Sequence, residues 1–117
     1  MQSVWKLWVT AKTEPAARRV YTRLIDRMAH PATVLAIEPY PKTDGFVVAF
    51  QVILASQGWN DAVVEVIALG QRVAYGWYMT GSIMDDPSAT ANQVSVAGAT
   101  MVEWQLINEQ PCSAEQN

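Results

Sequence analysis

The chain holds one cysteine and one histidine among its 117 residues. Cys112 alone excludes an internal disulfide, and with only His30 to join it no multi-cysteine or multi-histidine metal site can be assembled. No cofactor or metal is therefore expected. Charge is scarce as well: 16% of residues are Asp, Glu, Lys or Arg, against roughly a quarter in an ordinary soluble domain. A domain so poor in charge covers part of its surface with something else. No apolar run approaches the ~18 residues of a membrane span. The opening MQSVWKLWVTAKTEP lacks the basic start, apolar middle and small-residue site of a signal peptide, so a cytoplasmic protein with no membrane partner is expected. Gly58, Gly70, Gly76 and Gly81 lack the spacing of a phosphate-binding loop.

What is present is apolar and aromatic: half the residues are hydrophobic and five are tryptophan. The length suits one domain, expected over residues 1–108 with a flexible polar tail at 109–117. The net charge of −3 hides a split, with +3 over residues 1–57 and −6 over the remainder. An acidic balance without a dominant basic stripe argues against nucleic-acid binding. Arg19, Arg23 and Arg27 recur on one side of a helix, but Asp26 beside them blunts the field, and a solvated face is the simpler reading.

TEPAARRVYTRLIDRMAH reads as a helix capped by Thr13, with Pro15 in its first turn and Ala17, Val20, Tyr21, Leu24, Ile25 and Met28 inward. ATVLAIEPYPKTDGFVVAFQVILA reads as two strands around a turn, the second placing Phe46, Val48, Phe50, Val52 and Leu54 on one face. SQGWNDAVVEVIALGQRVAYG reads as a second helix capped by Asn60, with Gly70 on its apolar stripe marking close approach of helix to sheet. WYMTGSIM and TMVEWQLIN read as further strands around the loop DDPSATANQVSVAG. The order is β-α-β-β-α-β plus an extra strand. It resembles the ferredoxin-like α/β sandwich over roughly residues 3–108, an α+β fold with an antiparallel sheet of 4–5 strands and two helices on one face.

The first strand, SVWKLWVTAK, sets the functional question. Alternation puts Trp5 with Leu7, Val9 and Ala11 on one face and Trp8 with Val4, Lys6 and Thr10 on the other. Helices can cover only the first face. The second would carry Trp8, Val47, Ala49, Ile53 and Met101 with few charges, and such a patch marks an interaction surface. A covering loop, a second copy or a different protein could each fill it. No catalytic set emerges: His30 suits a helix-terminal cation or carbonyl donor, Cys112 has no activating base, and the Asp85–Asp86 pair suits a turn better than a cation.

Size, acidity, a sandwich without catalytic residues and surface aromatics together resemble small acidic bacterial toxin-immunity proteins. The resemblance implies a protein-binding module that neutralises a cognate toxin, for which a basic nuclease would suit the acidic surface. The expected contacts are Trp8, Trp59, Tyr78, Asp85, Asp86 and Glu103, with none catalytic. Trp59 could equally staple the helix entry. The alternative is a dimeric α/β-barrel protein that binds a small molecule, or a cofactor-independent monooxygenase, with a homodimer formed through the open sheet face.

Overall fold

The structure, a computed structural model, describes residues 1–107. The expected tail at 109–117 and Cys112 lie outside the described residues. The central strand, β1 (Gln2–Val9), alternates as its sequence demands, with Trp5, Leu7 and Val9 buried and Val4, Lys6 and Trp8 facing the other way. It is flanked by β3 (Gly45–Ile53) and by the last strand, β8 (Ala99–Ile107), both antiparallel to it. Beyond β3 lies β2 (Thr33–Tyr40), and beyond β8 lie β6 (Ser88–Ala91) and then β5 (Tyr78–Thr80). The sheet therefore has six strands in the order β2-β3-β1-β8-β6-β5, not four or five. The excess comes from β6, whose SATA sequence sits inside the expected loop. Ala89 and Ala91 alternate inward there against Trp104 and Val102, a pattern too small-sided to stand out. The strand expected over WYMTGSIM shrinks to Tyr78–Thr80, because Gly81 turns the chain at a φ of 76°.

Both helices pack on the Trp5 face. Helix α1 (Glu14–Met28) starts where the Thr13 hydroxyl accepts the Ala16 N–H at 3.3 Å, and it buries Ala17, Val20, Tyr21, Leu24 and Met28. Its C-terminal carbonyls are served from outside: the Arg72 guanidinium donates to Met28 O at 2.8 Å, where the helix dipole favours a cation. Helix α2 (Trp59–Val73) begins at Gly58, with no side-chain cap. The expected Asn60 cap lies two positions too late, inside the first turn. Trp59 is anchored by tertiary contact, described below, and the Ala62 N–H takes the bare Gly58 carbonyl at 2.9 Å. After α2, a short ribbon pairs β4 (Ala74–Tyr75) with β7 (Gln93–Val94). The Ser95 N–H bonds Val73 O, and Val96 is buried. The segment 93–98 is thus held on the helix flank, while Asn92 reaches the sheet's end beside Trp8 and Met101.

The core is aromatic at its centre. Trp5 stacks on Phe50 with ring centroids 5.8 Å apart, and Trp77 meets Trp5 edge-on at 6.3 Å and Trp104 at 6.5 Å. Trp77 is wedged against α2, its indole N–H donating to Gly70 O and Ala74 O at 3.1 and 3.2 Å. A Cβ on Gly70 would sit 3.0 Å from the Trp77 ring and 3.3 Å from Trp104 Nε1. The close approach anticipated for Gly70 is thus made by an indole ring. Ser3, the buried polar residue among these apolar side chains, accepts the Trp5 indole N–H at 2.8 Å and donates to Val52 O.

Gly70→Ala removes the helix-propensity penalty of about 1 kcal/mol but overpacks a ring pinned by two hydrogen bonds, at a cost of about 1–3 kcal/mol. The variant is expected to be destabilised by roughly 1 kcal/mol in urea unfolding. A rise in stability would show that the Trp77 wedge yields freely.

Candidate functional site

The six residues expected to contact a partner fall into two groups. Trp8, Glu103 and Tyr78 share the bare face of the sheet. Pairing fixes this: Trp8 lies opposite Val47 and Met101, Glu103 lies between Lys6 and Thr90, and Thr90 pairs with Tyr78. Met79 accordingly points to the helix flank. The face carries Val4, Trp8, Val47, Ala49, Met101 and Ile107, each partly exposed. No described helix, strand or loop lies across it. A one-sided antiparallel sheet ordinarily turns a polar face to water.

Trp59, Asp85 and Asp86 form the second group, at the opposite end of the sheet from Trp8. Asp85 and Asp86 belong to a turn over residues 81–87 that joins β5 to β6, and Trp59, at the start of α2, is bonded to it. Ser82 organises it: its carbonyl accepts the Asp85 and Asp86 N–H groups at 3.0 and 2.9 Å, and its hydroxyl accepts the Met84 N–H at 3.2 Å. Asp86 Oδ1 accepts the Ser82 N–H in return. Gly81 is required here, because a Cβ would collide with the Asp86 carbonyl. Three further bonds fasten the turn to the domain. Thr80 and Ser88 hydroxyls bond at 2.7 Å across its base, Leu106 N–H donates to Pro87 O, and the Trp59 indole N–H donates to Ile83 O at 2.8 Å. Trp59 therefore staples this turn to the start of α2.

The result is a rigid turn that exposes apolar side chains. Ile83 is 50% and Met84 68% exposed, with the solvent-facing carboxylates of Asp85 and Asp86 beside them. Ile83 and Met84 were absent from the expected contacts. The WYMTGSIM pattern places them in a strand, and the sequence signal that could have found them is Gly81, a turn residue just before them. No group of three or more His, Cys, Asp or Glu side chains that could hold a metal occurs among the described residues.

Elsewhere, His30 bonds Ile53 O at 2.8 Å, so its Nε2 carries a proton and serves as a carbonyl donor. Glu65 receives the Ala55 and Ser56 N–H groups at 2.9 and 2.8 Å, holding the chain that leads into α2. Desolvation pushes the Glu65 carboxyl up, but these hydrogen bonds and the charge of His30 outweigh it and lower the pKa. Burial raises the Tyr21 hydroxyl, with Arg18 opposing. A depression of about 460 Å³ lies over Arg18, Arg19 and Arg23, but a single helix forms its lining. A better enclosed cavity of about 350 Å³ sits at one end of the bare sheet, walled by Trp8, Tyr40, Phe46 and Met101. No helix among the described residues is long and apolar enough to cross a membrane. No family model, no curated protein and no solved structure matches the chain.

Two outcomes follow for this end of the molecule. Trp59→Phe keeps the apolar packing and deletes the bond to Ile83 O, so faster amide exchange is expected in residues 82–86, with about 1 kcal/mol of stability lost. Unchanged exchange there would show that Ser82 alone holds the turn. For Glu65, a lowered folded pKa means its contribution is present above the unfolded value near 4.5 and disappears as pH falls through the folded one. Glu65→Gln should cost about 1 kcal/mol at neutral pH, the group being half-buried and partly screened by solvent. Its stability should also fall less steeply than that of the wild type in acid, as measured by urea unfolding between neutral pH and pH 3.

Proposed function

We propose that the chain is a protein-binding module, most concretely an immunity protein that binds and neutralises a cognate bacterial toxin. The observation that carries this reading is the braced 81–87 turn. Exposed Ile83 and Met84 are held in one geometry by the bonds around Ser82, Asp86 and Trp59. A preorganised loop binds without the ordering cost that a mobile one incurs. Apolar anchors rimmed by Asp85 and Asp86 suit a basic partner with an apolar cleft, such as a nuclease, and the carboxylates would steer its approach. The helices after β1 and β3, with the order β2-β3-β1-β8, support the ferredoxin-like sandwich, to which β5, β6 and the ribbon are additions.

The test is co-expression and co-purification with the product of a toxin gene adjacent to this one. The Ile83→Asp/Met84→Asp variant should bind more than about 30-fold more weakly while melting like the wild type, since both side chains already face solvent. The association rate should fall as salt rises. A complex indifferent to both changes would count against this turn as the contact.

A second reading, a dimeric α/β-barrel protein that binds a small molecule or oxidises one without a cofactor, is favoured by the 350 Å³ cavity beside Trp8. Saturable binding of a single-ring aromatic compound, lost in Trp8→Ala, would support it.

A further inference from the structure

We infer that the bare sheet face is the interface between two copies of this chain, stacked face to face about a dyad running parallel to the strands between β1 and β8. The inference rests on the sheet alone and does not depend on what the 81–87 turn binds.

The strand order supplies the first argument. In β2-β3-β1-β8-β6-β5 the boundary between β1 and β8 has three strands on either side. A dyad along that boundary lays β1 of one copy over β8 of the other, β3 over β6 and β2 over β5. Every strand then faces a strand of the second copy, the eight-residue β2 and nine-residue β3 running past the three-residue β5 and four-residue β6. Sheets packed this way stay within about 30° of alignment.

The residues brought together are complementary. Lys6 and Glu103 are direct cross-strand partners at the centre of the face. They are not joined to each other, the one ion pair among the described residues being Arg18–Glu14 at 3.6 Å. Under the dyad each Lys6 lies over the second copy's Glu103 and the reverse, so two reciprocal pairs form at the middle of the face, between the Trp8 row and the row in which Gln51 and Gln105 flank Val4. The next row places Trp8 over Met101, a contact that thioether and indole favour. On the outer strands Ala49 meets Thr90, and Ala36 meets Tyr78, small against larger. Tyr78, 72% exposed in the single chain, gains a surface to rest on.

The size suits a concentration-dependent dimer. The facing parts of the strands, at about 3.3 Å per residue and about 4.8 Å between strands, present roughly 480 Å² per copy, hence about 950 Å² in the pair, in the range of weak, reversible interfaces. Self-complementarity about a dyad is the general rule for such contacts.

Sedimentation equilibrium of the full chain over a range of concentrations tests this. The wild type should be dimeric. Trp8→Ala should weaken association at least about 30-fold, as loss of a central aromatic does. Lys6→Glu and Glu103→Lys should each weaken it, and the double variant K6E/E103K should return it to near the wild-type value. Circular dichroism and melting report whether each variant folds; because Lys6 is exposed, K6E reads the interface even if Trp8→Ala unfolds. A wild type that stays monomeric throughout overturns the inference. So does a dimer unaffected by these changes, or a double variant no better than the singles. Toxin binding by the Ile83 and Met84 variant is scored separately, so either proposal can fail alone.

Discussion

Everything in this molecule depends on a strand that must be apolar on both faces while helices cover only one. β1 lies at the centre of the sheet, and its alternation sends Trp5 into the core and Trp8 out of it. On the covered side the consequence is an aromatic cluster in which Trp5, Phe50, Trp77 and Trp104 share contacts. On the uncovered side it is a mixed face, where half-exposed Val4, Trp8, Val47 and Met101 alternate with the Lys6–Glu103 couple and with Gln51 and Gln105. Burying a side chain of this size is worth roughly 1.5–3 kcal/mol, so the second face holds a reserve of binding energy that folding of the single chain leaves unused.

The covered side explains how the rest is positioned. Trp77 follows α2 directly and folds back onto it, filling the space that Gly70 leaves and taking the carbonyls at the helix end. That wedge fixes where β5 begins, and so where the 81–87 turn emerges. At the other end of α2, Trp59 fastens the same turn through Ile83. One helix thus locates both ends of the β5 excursion with two indole N–H groups. The turn itself buries little, and its rigidity comes from hydrogen bonds, each worth about 1 kcal/mol net.

The legibility of these features in sequence follows their physical origin. Period-two alternation announced the inward sets Trp5, Leu7, Val9 and Phe46, Val48, Phe50, Val52, along with the outward position of Met101 and Glu103. The 3.6-residue spacing and the Thr13 cap announced α1 almost residue for residue, because local rules dominate there. Gly70 on an apolar stripe announced a close approach, though not that Trp77 makes it. What escaped was governed by distant contacts. SATA becomes a strand because Trp104 and Val102 lie beside it. Asn60 yields the cap to Gly58 because Trp59 is held from across the molecule, and the 93–98 segment folds to the helix flank because Val96 finds the core there. His30, read as a helix-terminal cation or carbonyl donor, instead serves the carbonyl of Ile53 at the end of β3, an acceptor beyond local reading.

The two proposed surfaces do not compete. The turn leaves the sheet at the Gln105–Ile107 end, where Leu106 bonds Pro87 O, and Trp59 draws it toward the helix flank. Stacking across the bare face would therefore leave Ile83, Met84 and the neighbouring carboxylates open to solvent. A dyad parallel to the strands would also keep both turns at the same end of the pair, since such an axis preserves position along the strand. Two rigid, acidic, apolar tips would then project side by side. A partner with two sites, or two partners at once, would meet them with the avidity that fixed spacing confers and that a flexible linker cannot match.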